Sequence, residues 1–438
     1  MKSPANLEDR PIGRFSVRYQ LYVTGLLGLG YLTNQIDRNL LSILLNPISR
    51  EFHLTDSELG LLSGLTFAVF YSAFGFPLGR SVDKWNRRNL IVATQLAFSG
   101  FTFLCGITTT FLQLILARVG VAIGESGGYP AGISILTDLF PLHMRARVMA
   151  VYNAFAYIGF LGGFLIGGWV GQLWGWRVAF LVAAIPGLMV GLIVLLTVAE
   201  PARQTIIGTE SDEEVASWLP TLRYLLKIKS IRHMVIAAAL TQSSNVAFTV
   251  WLPVVLIRTY GVSLGHAGTD IALVFGIGGC VGTIITGTLM DHLGKRDVRW
   301  YFWLVSICNI ILVPCIVMML LSRNQFWFLA WMIVPGAFGA TFVPSCLAMM
   351  QTLAPPRMRG LATSLYMFGA ILVGLTLGVQ VTGTLSDLLK ATFGFDSVRY
   401  ALLAMALFPL WGALHAFLAA KYLATDLASA NAFAKTKA

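Results

Sequence analysis

Apolar residues along this chain fall in blocks of about twenty, separated by short polar runs. Twenty helical residues at 1.5 Å each cover the roughly 30 Å of a bilayer's hydrocarbon core, so each block predicts one spanning helix. Twelve such spans are predicted, at 18–45, 57–80, 89–110, 111–136, 147–171, 177–199, 233–258, 267–290, 300–321, 326–350, 360–384 and 399–422. One polar segment, 200–232, interrupts the series. It begins acidic and flexible (GTESDEE) and continues as WLPTLRYLLKIKS, whose amphipathic spacing predicts a helix lying on the membrane surface. The expected fold class is an all-α membrane protein with twelve transmembrane helices in two six-helix bundles, 18–199 and 233–422. A cytoplasmic tail at 1–17, the linker at 200–232 and a second tail at 423–438 complete it.

Composition agrees with that pattern. The 438 residues are 56% hydrophobic and only 12% charged, whereas a soluble chain of ordinary composition has about a quarter of its residues charged. The net charge of +11 does not imply nucleic acid, because the basic residues sit at the ends of apolar blocks. Lys and Arg concentrate in the tails and in the loops after even-numbered spans. The other side carries Arg50, Arg177, Arg258, Arg323, Lys390 and Arg399. By the positive-inside rule both termini are cytoplasmic, in a multi-pass protein of the cell (inner) membrane. The polar N-terminal stretch has no signal-peptide core, so the first block is read as a retained helix. Five cysteines, odd in number and spaced for no metal site, read as packing residues. No metal and no cofactor are expected.

Four charges lie inside apolar blocks: Asp37 and Arg38 in the first span, Arg118 and Glu125 in the fourth. A charge at the bilayer centre costs roughly 2.5–3.5 kcal/mol by insertion scales, so such residues carry function or a partner. Arg118 and Glu125 are seven apart, about two turns, and share a helix face. Gly120, Gly124, Gly127 and Gly128 beside them let another helix come close. Asp37 and Glu125 are the expected proton carriers, since a carboxylate in a dry cavity holds its proton more tightly. Arg38 and Arg118 suit an anionic head group or hold a carboxylate ionised. The plainer alternative is a set of static bridges fixing spans one and four together. Ser126, Tyr129, Tyr152, Asn153 and Tyr157 are candidate cavity residues of the first half. In the second half Asn245 stands among milder polar positions, with Phe248, Trp251, Phe342 and Tyr366 as an aromatic wall.

The halves also repeat. Gly79 and Asp83, followed by Arg87 and Arg88, recur as Gly287 and Asp291, followed by Lys295 and Arg296, at an offset of 208. PLHMRARVMAVY at 141–152 matches PPRMRGLATSLY at 355–366 at an offset of 214. Such duplication places a transporter's substrate site between the halves. Asp83 and Asp291, facing Arg87, Arg88, Arg145 and Arg359 at helix ends, are read as a cytoplasmic latch between them, with Asp138 in the same cluster.

The G-x-x-x-D-x-x-x-R-R stretch at 79–88 and its second copy resemble the loop motif of the major facilitator superfamily, and the likeness covers nearly the whole chain. NQIDRNLLSILL (34–45), LTDSELGLLSG (54–64), RVGVAIGES (118–126) and LTDLFP (136–141) resemble the Spinster branch, the sphingolipid and lysolipid transporters. The chain departs from that pattern at Ser126, where alanine is expected. The resemblance implies proton-linked alternating-access transport of an amphipathic anion with one long tail, of the lysophospholipid or sphingosine-1-phosphate type. A proton-coupled symporter of small organic anions such as sugar acids is the alternative, since Arg38 and Arg118 serve either. Partners are then the bilayer, protons and a small-molecule or lipid substrate, with no nucleic acid, and the chain is read as a monomer. A third class, receptor or membrane hydrolase, rests on Gly124-Glu125-Ser126-Gly127-Gly128, which fits the G-x-S-x-G elbow. That motif needs a strand, a sharp turn and a helix, and here it lies in an apolar helical block. No phosphate-binding loop is present, so nucleotide-driven pumping is not expected.

Overall fold

A computed structural model describes residues 15–203, 218–354, 362, 366 and 369–435. Every regular element among them is helical. The first half comprises α1 (Val17–Phe52), α2 (Thr66–Lys84), α3 (Arg87–Ile107), α4 (Phe111–Glu125), α5 (Gly128–Leu139), α6 (Leu142–Trp174) and α7 (Trp176–Thr197). The second comprises α8 (Trp218–Lys227), α9 (Lys229–Tyr260), α10 (Gly278–Gly294), α11 (Trp300–Leu321), α12 (Gln325–Phe338), α13 (Phe342–Leu353), α14 (Val381–Phe393), α15 (Ser397–Met405) and α16 (Leu407–Lys435). Sequence sets several starts: Thr110 with Gln113, and Thr55 with Glu58, form capping boxes, while Ser16 and Asn86 accept the first free N–H groups of α1 and α3. Eight stretches are long and apolar enough to cross a membrane among the described residues, and α12 is a shorter apolar helix. The expected count of twelve is spread differently. The fourth span is split between α4 and α5, and spans eleven and twelve are separated by a turn at Gly394, where φ is +55°. The final helix continues through most of the expected tail, to Lys435.

The duplication is visible in the breaks. The helix is interrupted between α4 and α5, and again between α12 and α13. The starts of α4 and α12 and the ends of α5 and α13 both lie 214 residues apart, the offset of the sequence repeat. At the first break Ser126 N–H reaches back three residues to Ile123 O, which tightens the turn beside Gly124 and Gly127. Spans two and eight each hold a π-helical stretch, Leu61–Leu65 and Ala272–Ile277. The symmetry fails at spans five and eleven: α6 is continuous, whereas span eleven passes through two π stretches, Gly369–Val373 and Thr376–Gln380.

The apolar core locates the gap between the halves. Toward the face bearing the chain ends it is divided. One cluster holds Val23, Leu27, Leu139 and Val198 of the first half, another Ile231, Met290, Leu353 and Leu423 of the second. Toward the opposite face one continuous cluster joins Leu44, Ile48 and Phe164 to Trp251, Leu256 and Val379. The halves therefore meet on the opposite face and part on the terminal face.

A polar seam accompanies that joint. Arg258 Nη1 meets Asp56 Oδ1 at 2.7 Å, and its Nε donates to Asn46 Oδ1 at 3.2 Å. Ser386 Oγ donates to the other oxygen of Asp56 at 2.7 Å. The N–H groups of Asp56 and Ser57 donate to the Asp387 carboxylate at 3.0 and 2.7 Å. Asp56 is only 1% exposed at its side chain, so its charge depends on these partners. A second strip runs beside α6, where Trp169 donates to Thr269 and Gln172 accepts from the Gly265 N–H.

Within the first half α6 lies directly on α1. A Cβ at Gly163 would stand 2.5 Å from Ile36 O, and one at Gly159 2.4 Å from Leu32 O. Gly163→Val is expected to cost about 1–3 kcal/mol by overpacking and to lower the thermal midpoint in detergent by several degrees; an unchanged midpoint would contradict this packing. Arg258→Gln leaves Asp56 buried without its cation, a loss of about 3–5 kcal/mol to the closed seam. Spin labels at Thr55 and Thr384, exposed positions on its two sides, should then report a longer distance population, and the wild-type distribution would count against the seam.

Candidate functional site

The four intramembrane charges meet, but in crossed pairs. Arg118 Nη1 contacts Asp37 Oδ2 at 2.6 Å, and Arg38 Nε contacts Glu125 Oε1 at 2.7 Å. The bridges join spans one and four, and each helix supplies one acid and one base to the other. Neighbours in sequence point about 100° apart on a helix, so Asp37 and Arg38 face different parts of the fourth span. Glycine sets the fourth span against α3. A Cβ at Gly124 would stand 2.6 Å from the Phe98 backbone nitrogen, and one at Gly120 would enter the Phe101 ring.

The two pairs differ in environment. Asp37 and Arg118 are 1% and 2% exposed, and Thr102 Oγ1 donates to the second Asp37 oxygen at 3.0 Å. Both carboxylate oxygens are thus engaged. Glu125 is 3% exposed and its partner Arg38 31%. The Arg38 guanidinium lies over the rings of Phe67 and Tyr71, at 4.8 and 5.0 Å. Glu125 Oε2 is buried without a hydrogen-bond partner among the described residues. In one pair both carboxylate oxygens are engaged, although Arg118 Nε is buried without a partner among the described residues; in the other the carboxylate is half-satisfied and the cationic side is open.

The remaining candidates surround this centre unevenly. Tyr129 stacks against Tyr31 and Tyr152, with ring centroids at 4.9 and 5.8 Å, and its hydroxyl donates to Asn153 Oδ1 at 3.2 Å. Tyr157 reaches across the halves to Thr283, hydroxyl to hydroxyl at 2.9 Å. Asn245 lines a small cleft inside the second half with Thr241, Ser244 and Phe248. Ser126 is buried and its hydroxyl donates to Ile123 O one turn back at 2.8 Å. It lies in a helical turn with no strand before it, so the geometry of a nucleophile elbow is not met.

Several of the residues read as a latch have partners inside their own halves. Arg87, 2% exposed, pairs with Asp138 and with Glu200, the latter at 2.7 Å. Arg88 donates its backbone N–H to Glu200 Oε2 at 2.9 Å, and Arg145 Nε donates to Phe140 O at 3.2 Å. Asp291 accepts from the Tyr301 hydroxyl at 3.1 Å. Gly79 and Gly287 have nothing within 4 Å of a Cβ position. Arg359 lies outside the described residues, as does the side chain of Asp83.

Sequence reasoning missed four residues. Asp56, Arg258 and Asp387 form the seam, yet Arg258 was counted as a topology charge. Asp56 stood in the LTDSELGLLSG piece without a role. Glu200, taken as the start of the linker, binds Arg87. A usable signal existed for Asp56, a carboxylate directly after a capping threonine, with Arg258 near the end of an apolar span.

Comparison with known proteins agrees with this architecture. The sequence profile of the Major Facilitator Superfamily matches residues 27–308, more than half of the chain. An MFS-type efflux pump of Mycolicibacterium smegmatis is 29% identical over 431 residues, covering 98% of this chain and 99% of the relative. The sphingosine-1-phosphate transporter SPNS2 of Danio rerio is 25% identical over 423 residues, covering 88% and 81%. The crystal structure of a bacterial homolog of the human lysosomal transporter Spinster, inward-facing and unoccupied, superposes with a TM-score of 0.86. It is 25% identical and covers 94% of this chain and 99% of that one. The resemblance to the Spinster branch is thus borne out. With a matched profile, a fold of two facing helical halves and relatives that are transporters rather than enzymes, the chain belongs to the Major Facilitator Superfamily.

Proposed function

We propose that this protein is a proton-coupled secondary transporter that moves an amphipathic, anionic, lipid-like substrate by alternating access, and that the open terminal face is its cytoplasmic side. The observation that carries the reading is the unequal pair of ion pairs. Asp37 and Arg118, both buried, pin α1 to α4. Arg38 and Glu125 are the working pair: an anionic head group at the exposed edge of Arg38 competes with Glu125, and a proton on Glu125 releases Arg38 to the anion. The guanidinium fork matches the oxygens of a phosphate, and the Phe67 and Tyr71 faces beneath it suit an adjoining acyl chain. A substrate that binds both states equally would drive nothing, so the competition supplies the difference that a transporter needs.

The similarity to a sphingosine-1-phosphate transporter and to a Spinster homolog supports the lipid-like class. The inward-facing neighbour and the split core support assignment of the open face to the cytoplasm, in agreement with the distribution of Lys and Arg. On this reading the division at the linker separates two bundles that rock about the joint on the opposite face. Asp83, Asp291, Arg145 and Arg359 close the cytoplasmic side in the other state.

Proteoliposomes under a pH gradient test the proposal. Proton flux is followed while lysophosphatidic acid, a lysophosphatidylcholine and glucarate are added separately. Flux with the lysolipids is expected, and flux with glucarate alone would replace the reading with small-anion symport. Glu125→Gln should fold normally and lose at least about tenfold in gradient-driven flux, while exchange without a gradient persists. Asp37→Asn should behave differently: it strands Arg118 as a buried lone cation, at a cost of about 3–5 kcal/mol, and the thermal midpoint falls with the activity. Equal thermal stability of the two variants would overturn the division of roles.

A further inference from the structure

The ion pairs adjoin a polar chamber inside the first half that the transport cycle described above does not use. It is lined by Tyr31, Asn34, Gln95, Tyr129 and Tyr152, with Leu26, Leu27 and Val194 among its apolar side chains. Asn34 is 6% exposed, and its Oδ1 is buried without a partner among the described residues. Gln95 is held by its own amide, Nε2 donating to Thr33 Oγ1 at 2.8 Å. The chamber has room for a water molecule and the polar partners that fix one.

Its position relative to the site follows from helix geometry. Asn34 precedes Arg38 by four residues on α1, and Tyr129 follows Glu125 by four on the antiparallel fourth span. Both lie about one turn, near 6 Å, toward the terminal face from the Arg38–Glu125 pair. Two buried oxygens that lack partners among the described residues, Asn34 Oδ1 and Glu125 Oε2, therefore lie about one turn apart along the bundle. The second half repeats the frame without the acid. Asn309 Nδ2 donates to Thr241 Oγ1 at 2.9 Å, at the 214 and 208 offsets from Gln95 and Thr33, and Ser244 Oγ is the unpartnered atom there. Neither lining includes a carboxylate, but the first chamber lies about one turn from Glu125.

We propose that this chamber is a water site, held by Asn34 and framed by Gln95, through which Glu125 exchanges its proton from inside the first half rather than across the substrate cavity. The resident water passes a proton to Glu125 Oε2 and takes a replacement from a hydronium ion on the terminal-face side, which is left as water. The carboxylate gains one proton and the resident molecule remains water. This rests on the proposed role of Glu125 as the proton carrier.

The test needs no substrate. The full-length protein in lipid nanodiscs is subjected to a pH jump, and the infrared carboxylic-acid band that vanishes in Glu125→Gln is followed in time. Asn34→Leu, which removes the acceptor and fills the chamber, should slow the rise of that band by at least about tenfold. Asn34→Ser, which keeps an acceptor, should stay close to wild type. Should Asn34→Leu fail to fold, Gln95→Leu carries the same expectation. An unchanged rate in the leucine variants, or a slowed one in Asn34→Ser, overturns the chamber, as does the lack of any Glu125 band in wild type. A chamber-dependent band in a protein without pH-driven flux leaves the water site standing and removes the transport reading instead.

Discussion

Everything in the first half is arranged around the need to place four full charges at mid-membrane depth without leaving any of them alone. An isolated charge there is expensive, and a broken buried pair is more so. The solution is a cross-brace: α1 and α4 each give one acid and one base, so neither helix can withdraw without exposing two ions. Glycine brings the fourth span against α3, and a glycine stripe on α6 holds α1 from the other side. The charges thus fix three helix contacts at once. Within that brace the burden is divided, since one carboxylate has both oxygens engaged and the other only one.

The second half inherits the frame and drops the charge. The helix interruptions at the fourth and tenth spans, the π stretches in spans two and eight, and the Thr33–Gln95 and Thr241–Asn309 bonds all recur near one offset. At the 208 offset Asn245 stands where the first half has Asp37, an amide of nearly the same shape without the ionisation. One copy has kept the scaffold and the other has acquired the electrostatics. The loosening of span eleven, with two π stretches against a continuous α6, fits a half that moves over a neutral wall.

Much of this was legible beforehand because bilayer thickness imposes a length on every apolar block. The twelve-span organisation, the duplication and the four buried charges follow from periodicity and spacing alone. The pairing did not, because it depends on which face of α1 meets the fourth span, and a rotation of 100° exchanges partners. Arg258 was misread for a different reason. An arginine near a helix end looks the same whether it anchors to head groups or reaches Asp56, and only the packing of the opposite face decides. Arg87 shows the same ambiguity, since a residue counted for topology proves to be buried between Asp138 and Glu200. The charges inside spans were thus read correctly as special, while those at span ends carried roles that position alone does not separate.

The single core on the opposite face also sets a lever. Along α1, Asp37 lies fifteen residues from Phe52 at the joined end, while the terminal rim at Val17 lies thirty-five away. If the halves turn about that joint, displacement grows with distance from it, so the ion pairs move a little under half as far as the rim. A parting of about 10 Å at the mouth corresponds to roughly 4 Å between Arg38 and the facing second half, enough to make or break a hydrogen bond carried across the gap. The depth of the charges below the mouth thereby acts as a gear ratio, converting a wide swing at the surface into the short stroke over which a hydrogen bond is made or lost.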